Sequence, residues 1–173
     1  MAVHTPVLET PRLYLRKITL EDTDSLQLLF EDPVAMQYFP GTKDRAETGE
    51  WIHTMRSRYE SDGMGFYACI LKDTEEFIGY CGLLLQKDVD GTDETEVGYG
   101  LIRNYWHQGY ATEAAKACME YAFNHLGAKS IISLIRPENI NSINVARRNH
   151  LTFVKNVVRF GHPHRVYGAK SPL

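Results

Sequence analysis

Glu96-Val-Gly-Tyr-Gly-Leu-Ile-Arg-Asn-Tyr-Trp-His-Gln-Gly-Tyr-Ala-Thr-Glu-Ala114 is the stretch that decides how this chain reads. Its opening, Glu96 to Ile102, has the character of a strand. From Ala111 to Leu126 small and apolar residues recur at helical spacing: Ala111, Ala114, Ala115, Cys118 and Ala122 form a narrow stripe, flanked by Met119, Phe123 and Leu126. Between the two, Gly109 lets the backbone approach a ligand closely, and Ala111 keeps the next turn slim. The first amides of a helix lack internal partners and carry the positive end of its dipole, so the pattern predicts an anion seat on Gly109 to Thr112. A dinucleotide turn, Gly-x-Gly-x-x-Gly, would need two more glycines, and the Gly-Lys-Ser/Thr of a nucleotide-hydrolysing loop is absent.

Working outward, Arg12-Leu-Tyr-Leu-Arg-Lys-Ile18 alternates apolar with polar side chains, the period of a half-buried strand. A cap and early acidic residues at Thr19 to Asp22 start a helix that Pro33 stops, and a second helix is expected from about Lys43 to Tyr59. Phe66 to Leu71 and Phe77 to Leu85 form a hairpin, followed by a polar loop from Lys87 to Thr95. After the Ala111 helix come a strand over Ser130 to Ile135, a helix from about Ser142 to Asn149, and strands near Phe153 to Phe160 and Arg165 to Tyr167. The order predicts a mixed α/β fold with a mostly antiparallel sheet of about seven strands flanked by helices. The crossover through the Ala111 helix makes the Glu96 and Ser130 strands a parallel pair, with a crevice at their carboxyl ends.

The chain has 173 residues, 43% hydrophobic and 24% charged, which suits one domain over 1–173 and excludes wholesale disorder. Its net charge of -3 supplies no general attraction for nucleic acid or an anionic membrane, so an anionic ligand must be met locally. Cys69, Cys81 and Cys118, each among apolar neighbours, read as reduced core thiols. The start, from Met1, lacks the charged-then-apolar form of a targeting segment, and no run of about 18 apolar residues occurs. A soluble, cytoplasmic protein is expected.

The residues also carry a family likeness. Trp106-His-Gln-Gly-Tyr-Ala-Thr-Glu-Ala114 resembles the coenzyme A loop of the GNAT N-acetyltransferases, in the version of the branch named for ribosomal-protein N-terminal acetyltransferases. Leu8 to Arg16 resembles that branch's opening strand, and Pro137-Glu-Asn-Ile-Asn-Ser-Ile-Asn-Val-Ala146 its late Asn-x-x-Ser helix start. The likeness runs from about residue 8 to 168. Trp106 and His107 depart from it, His107 standing where a glycine is common. The resemblance implies acetyl-CoA as co-substrate, and the residues offer no metal-ligand set, so no metal is expected. The resemblance also implies a splayed parallel pair admitting the pantetheine arm, with the backbone of Leu101, Ile102 and Arg103 pairing that arm. Gln108, Gly109, Tyr110, Ala111 and Thr112 would hold the pyrophosphate, and Asn139 the arm.

Acetyl transfer needs a neutral amine and a protonated leaving thiolate. Glu96, beside the cleft, is the candidate base; its plain alternative is a solvated charge. Asn139 and Ser142 read as helix caps, Ser142 foremost, while the resemblance makes Ser142 a proton donor. Ala146 stands where many family members carry an acidic Tyr. Arg147 and Arg148 are candidates for the phosphates, with Arg147 preferred. His162 and His164 read as a hairpin turn rather than metal ligands, and the resemblance puts His164 and Tyr167 near the acceptor. The expected acceptor is a primary amine, an N-terminal α-amine of a protein or a small amine. The Lys43 to Tyr59 helix and the Lys87 to Thr95 loop are expected to shape its pocket, and Asp88, Asp90, Asp93 and Glu94 to attract a cation or be solvated. A homodimer is open as a partner, and a non-catalytic acyl-CoA sensor is the alternative function.

Overall fold

The computed structural model describes residues 5–172. Expectations that rest on residues 1–4 and 173, the form of the amino terminus and the outer limits of the domain, lie outside the described residues. Strands β1 (Pro6–Glu9), β2 (Leu13–Lys17), β3 (Phe66–Leu71), β4 (Phe77–Val89), β5 (Thr92–Leu101), β6 (Ser130–Ile135), β7 (Thr152–Arg159) and β8 (His162–Lys170) form one sheet in the order 1-2-3-4-5-6-8-7. All neighbours are antiparallel except β5 and β6. Helices α1 (Thr23–Phe30), α2 (Arg45–Ser61), α3 (Tyr110–His125) and α4 (Ile140–Arg148) flank it.

Two expectations are corrected. The sheet has eight strands, because the short Pro6–Glu9 segment, too brief to show a period, pairs with β2. The expected polar loop from Lys87 to Thr95 is the end of a hairpin: β4 runs to Val89 and β5 starts at Thr92, around an Asp90-Gly91 turn in which Gly91 takes φ 92°. Its acidic side chains hold the turn and its neighbours. Asp93 pairs with Lys87, Asp88 accepts from the Gly91 amide, and Asp90 pairs with Lys155 of β7.

The register assigns each strand residue to one of two faces. Glu96 lies opposite Leu84, Gly98 opposite Gly82 and Gly100 opposite Tyr80, while Phe66 pairs with Gly82. These residues face α1 and α2, where Ala68 and Tyr80 pack with Leu26, Leu29, Phe30 and Ile52. Leu83, Val97 and Leu101 face the other way, against Ala114, Ala115, Cys118 and Ala122 of α3 and Ile143 of α4. The alanine stripe thus packs on the sheet as its spacing predicted. Cys69, Cys81 and Cys118 are buried free thiols, with the sulfurs of Cys81 and Cys118 3.8 Å apart.

Candidate active site

β5 and β6 are joined by a single parallel pair, Glu96 opposite Ile132. Past it the ladder stops, leaving the β5 edge from Val97 onward beside a cleft of about 710 Å³, within the range of ligand sites. Glu96 sits at the fork. Its Oε2 accepts from the Leu134 amide at 2.9 Å, so the side chain supplies an acceptor where strand pairing has ended. Its Oε1 accepts from Gln86 Nε2 at 2.9 Å, and Gln86 Oε1 accepts in turn from Arg159 Nη2 at 3.1 Å. Arg159 is itself anchored on the carbonyls of Lys87 and Asp88. Burial raises the Glu96 pKa above the usual carboxylate range, against the downward pull of the Leu134 and Gln86 hydrogen bonds and the Arg159 charge.

Tyr99, three residues along β5, points to the opposite face. Its hydroxyl lies 2.8 Å from Ser142 Oγ and 3.1 Å from the Ser142 carbonyl oxygen. Burial pushes this phenol up, with the Ser142 hydrogen bond pulling less strongly the other way. The Ser142 amide donates to Asn139 Oδ1 at 3.2 Å. The helix cap is therefore Asn139, and the capping role expected foremost of Ser142 is corrected: Ser142 stands in the first turn, its hydroxyl turned to Tyr99.

At the carboxyl end of β5, Gly109 caps α3 in the left-handed region at φ 83°, and His107 also takes a positive φ of 60°. The position where a glycine is common thus requires a conformation that favours glycine, and His107 adopts it. Thr112 Oγ1, in the first turn of α3, is buried and has no hydrogen-bond partner among the described residues. Arg12 braces the turn. Its Nε bonds Glu113 at 2.9 Å, its Nη1 the Gln108 carbonyl at 3.0 Å, and its guanidinium lies 4.2 Å over the Tyr110 ring. For the Glu113 carboxyl, burial acts upward, but the hydrogen bonds from Thr10 and Arg12 outweigh it and hold the pKa down. Helix-terminal amides, an unpaired hydroxyl, a bare glycine and a nearby guanidinium together fit a phosphate group. A second groove, lined by Lys116 and Arg148, shares His107, Gly109 and Thr112 with the first.

Of the residues expected at the site, Glu96, Leu101, Gly109, Tyr110, Ala111, Thr112, Asn139, Ser142 and His164 line the cleft. Others do not. The Ile102 amide donates to Ile78 and its carbonyl accepts from Tyr105, while the Arg103 guanidinium grips Asp32 at 2.5 and 2.9 Å. On β5 itself the Val97 carbonyl accepts from Ser133 Oγ at 3.0 Å and the Leu101 carbonyl from Trp106 Nε1 at 2.8 Å. The Gln108 side chain turns back to the Asn104 carbonyl. Arg148 lines both grooves and Arg147 neither, because helical rotation carries adjacent residues apart. Tyr167 is core, packed edge-on against Phe153. The cleft is also lined by residues 34, 35 and 37–40 with Phe66, Tyr80 and Leu84, and no residue of α2 or of the 87–95 segment lines it.

Sequence reading missed three groups. Tyr99 was detectable, since period-two alternation puts it opposite in face to Glu96. Gln86 and Arg159 carry no local signal. Among the described residues no three His, Cys, Asp or Glu side chains gather as a metal site, and no helix is long and apolar enough to cross a membrane.

The domain model described as an acetyltransferase (GNAT) domain matches residues 12–152. The chain belongs to the GNAT acetyltransferase family. Among relatives of this acetyltransferase, the uncharacterized protein YkkB of Bacillus subtilis is 36% identical, over 95% of both chains. An acetyltransferase of Agrobacterium tumefaciens shares the fold at a TM-score of 0.83 with 26% identity, over 98% of this chain and 96% of that one. The fold alone is shared with RimL, a ribosomal L7/L12 α-N-protein acetyltransferase solved with coenzyme A: TM-score 0.78, 18% identity, 96% and 98% coverage.

Proposed function

We propose that this enzyme transfers the acetyl group of acetyl-CoA to a primary amine in the cytoplasm, with an N-terminal α-amine or a small amine as acceptor. The observation that carries the reading is the placement of a carboxylate and a hydroxyl pair on opposite faces of the sheet, beside one gap that ends at an anion seat. Gly109 to Thr112 would hold the pyrophosphate, Arg148 and Lys116 further phosphate charge, and the β5 edge from Val97 the amide-bearing arm. Acetyl-CoA would supply the thioester whose carbonyl carbon the amine attacks.

Glu96 takes the first proton of the entering ammonium, and the second leaves the nitrogen to solvent once the C–N bond has formed; its raised pKa brings Glu96 closer to that of an α-amine, about 8, than an ordinary carboxylate is. As the C–N bond forms and the C–S bond breaks, Ser142 Oγ gives its proton to the departing sulfur. Tyr99, 2.8 Å away, replaces that proton from its own hydroxyl and recovers one from solvent. This pair serves where Ala146 removes the family's usual Tyr.

The test is thiol release from acetyl-CoA across N-terminal peptides, amino acids, polyamines and aminoglycosides. Release with at least one amine is expected, and release with none would overturn the reading. Ser142→Ala and Tyr99→Phe should each lower kcat by about tenfold to a hundredfold while leaving the acetyl-CoA Kd within about twofold.

A further inference from the structure

Four of the protein's exposed large apolar side chains stand at the mouth of the cleft: Val34 (40% exposed), Phe39 (41%), Ile140 (58%) and Phe160 (67%). They come from three separate segments, the 34–40 loop, the start of α4 and the β7–β8 turn. Their gathering at one opening is a property of the tertiary structure. Behind them the wall is aromatic. Phe66 and Tyr80 lie with ring centres 4.8 Å apart, backed by Trp51 at 6.2 and 5.2 Å. The rings can lie flat because the sheet beneath is glycine: a Cβ on Gly98 would meet the Phe66 ring at 3.0 Å, and one on Gly100 the Tyr80 ring at 2.8 Å.

Charge is sparse. Two carboxylates line the cleft, and Glu138 is ion-paired with Arg136 at 3.6 Å. Among the described residues Glu96 is thus the one lining carboxylate outside an ion pair, while Arg136, Arg148 and three histidines face the same space. A single ammonium can be met by Glu96 and the adjacent ring faces. A further cation on the same molecule would find neutral or cationic lining and no second free carboxylate, so its lost hydration would go without a counter-charge.

We infer that the acceptor is a monocationic primary amine carrying an apolar, preferably aromatic, body, and that polycationic amines are rejected. The inference rests on the transfer reading for the identity of the site, but its test does not need turnover. Equilibrium binding to the full chain, with and without coenzyme A, is measured for 2-phenylethylamine, ethylamine, a Phe-first peptide, a Gly-first peptide, spermidine and kanamycin. Phenyl-bearing amines should bind about tenfold or more tighter than ethylamine or spermidine. Phe39→Ser, a change at an exposed position, should remove most of that margin. Tighter binding of the Phe-first peptide than of 2-phenylethylamine assigns a peptide source, and the reverse a free amine; either supports the class. Spermidine or kanamycin binding as tightly as the phenyl compounds, or a margin untouched by Phe39→Ser, overturns it. Thiol release is read separately on the same compounds. Apolar preference in binding without release defeats the transfer reading alone, and release favouring spermidine defeats the acceptor class alone.

Discussion

Glu96 shows how one side chain acquires chemistry from where its strand stops pairing. On an isolated strand it would be a solvated carboxylate; at the fork it is half-buried, bonded to the Leu134 amide and to Gln86, and its pKa rises. A base must be deprotonated to work, so the acid limb of kcat/KM should lie above the ordinary Glu value of about 4.3. Glu96→Gln should abolish that limb and lower kcat/KM by on the order of 10²-fold in a pH-rate series. Stability carries the same sign. The folded state holds the proton more tightly than the unfolded chain, so the contribution of Glu96 is complete below the ordinary Glu value and is lost as pH rises through the raised one. The melting temperature of Glu96→Gln relative to the parent should therefore increase from acid to neutral pH. An unchanged difference would mean that the carboxyl does not titrate high.

Elements position the site through their ends. Asn139 caps α4 and sets the turn that presents Ser142 to Tyr99. Asn139→Ala should remove about 1 kcal/mol, or about 2–4 °C of Tm for a chain of this size, checked by calorimetry. Arg12 ties the start of β2 to the first turn of α3 through Glu113 and the Gln108 carbonyl. It is 44% exposed at the side chain, so solvent screening discounts its ion pair. Arg12→Ala should raise the acetyl-CoA Kd about fivefold by loosening the loop and removing a nearby charge, as titration calorimetry would show. A Kd within twofold would mean that the loop holds its form without it.

At the scale of the whole molecule, a net charge of -3 means that a highly anionic ligand at the proposed seat would be held against the protein's overall field. Ligand binding to the folded state alone should then register as stability. At a hundred times its Kd, acetyl-CoA should add about 2.7 kcal/mol, raising Tm by roughly 5–10 °C. Gly109→Glu, which puts a carboxylate at the seat and a side chain at φ 83°, should abolish the shift while costing the free protein only a few degrees. A retained shift would remove Gly109 from the seat.

The order of the elements, the parallel crossover and the glycine turn that opens α3 were legible in local pattern. Alternation, helical spacing and a glycine before an alanine stripe are short-range signals, and each acts within a few residues. Strand β1 and the continuation of the β4–β5 hairpin were not legible, because four residues show no period and polar residues on a solvent-facing hairpin look like loop. At the site, sequence determined that a carboxylate stands on the strand before the seat and a serine near the start of α4. Which face each takes, and that Tyr99 meets Ser142 while Gln86 and Arg159 hold Glu96, was decided by register and by the point at which β5 and β6 part. The same holds for the cleft, whose rim unites residues more than a hundred positions apart. Local pattern can place a residue on a strand or helix, but only the packed chain brings side chains from separate segments around one opening.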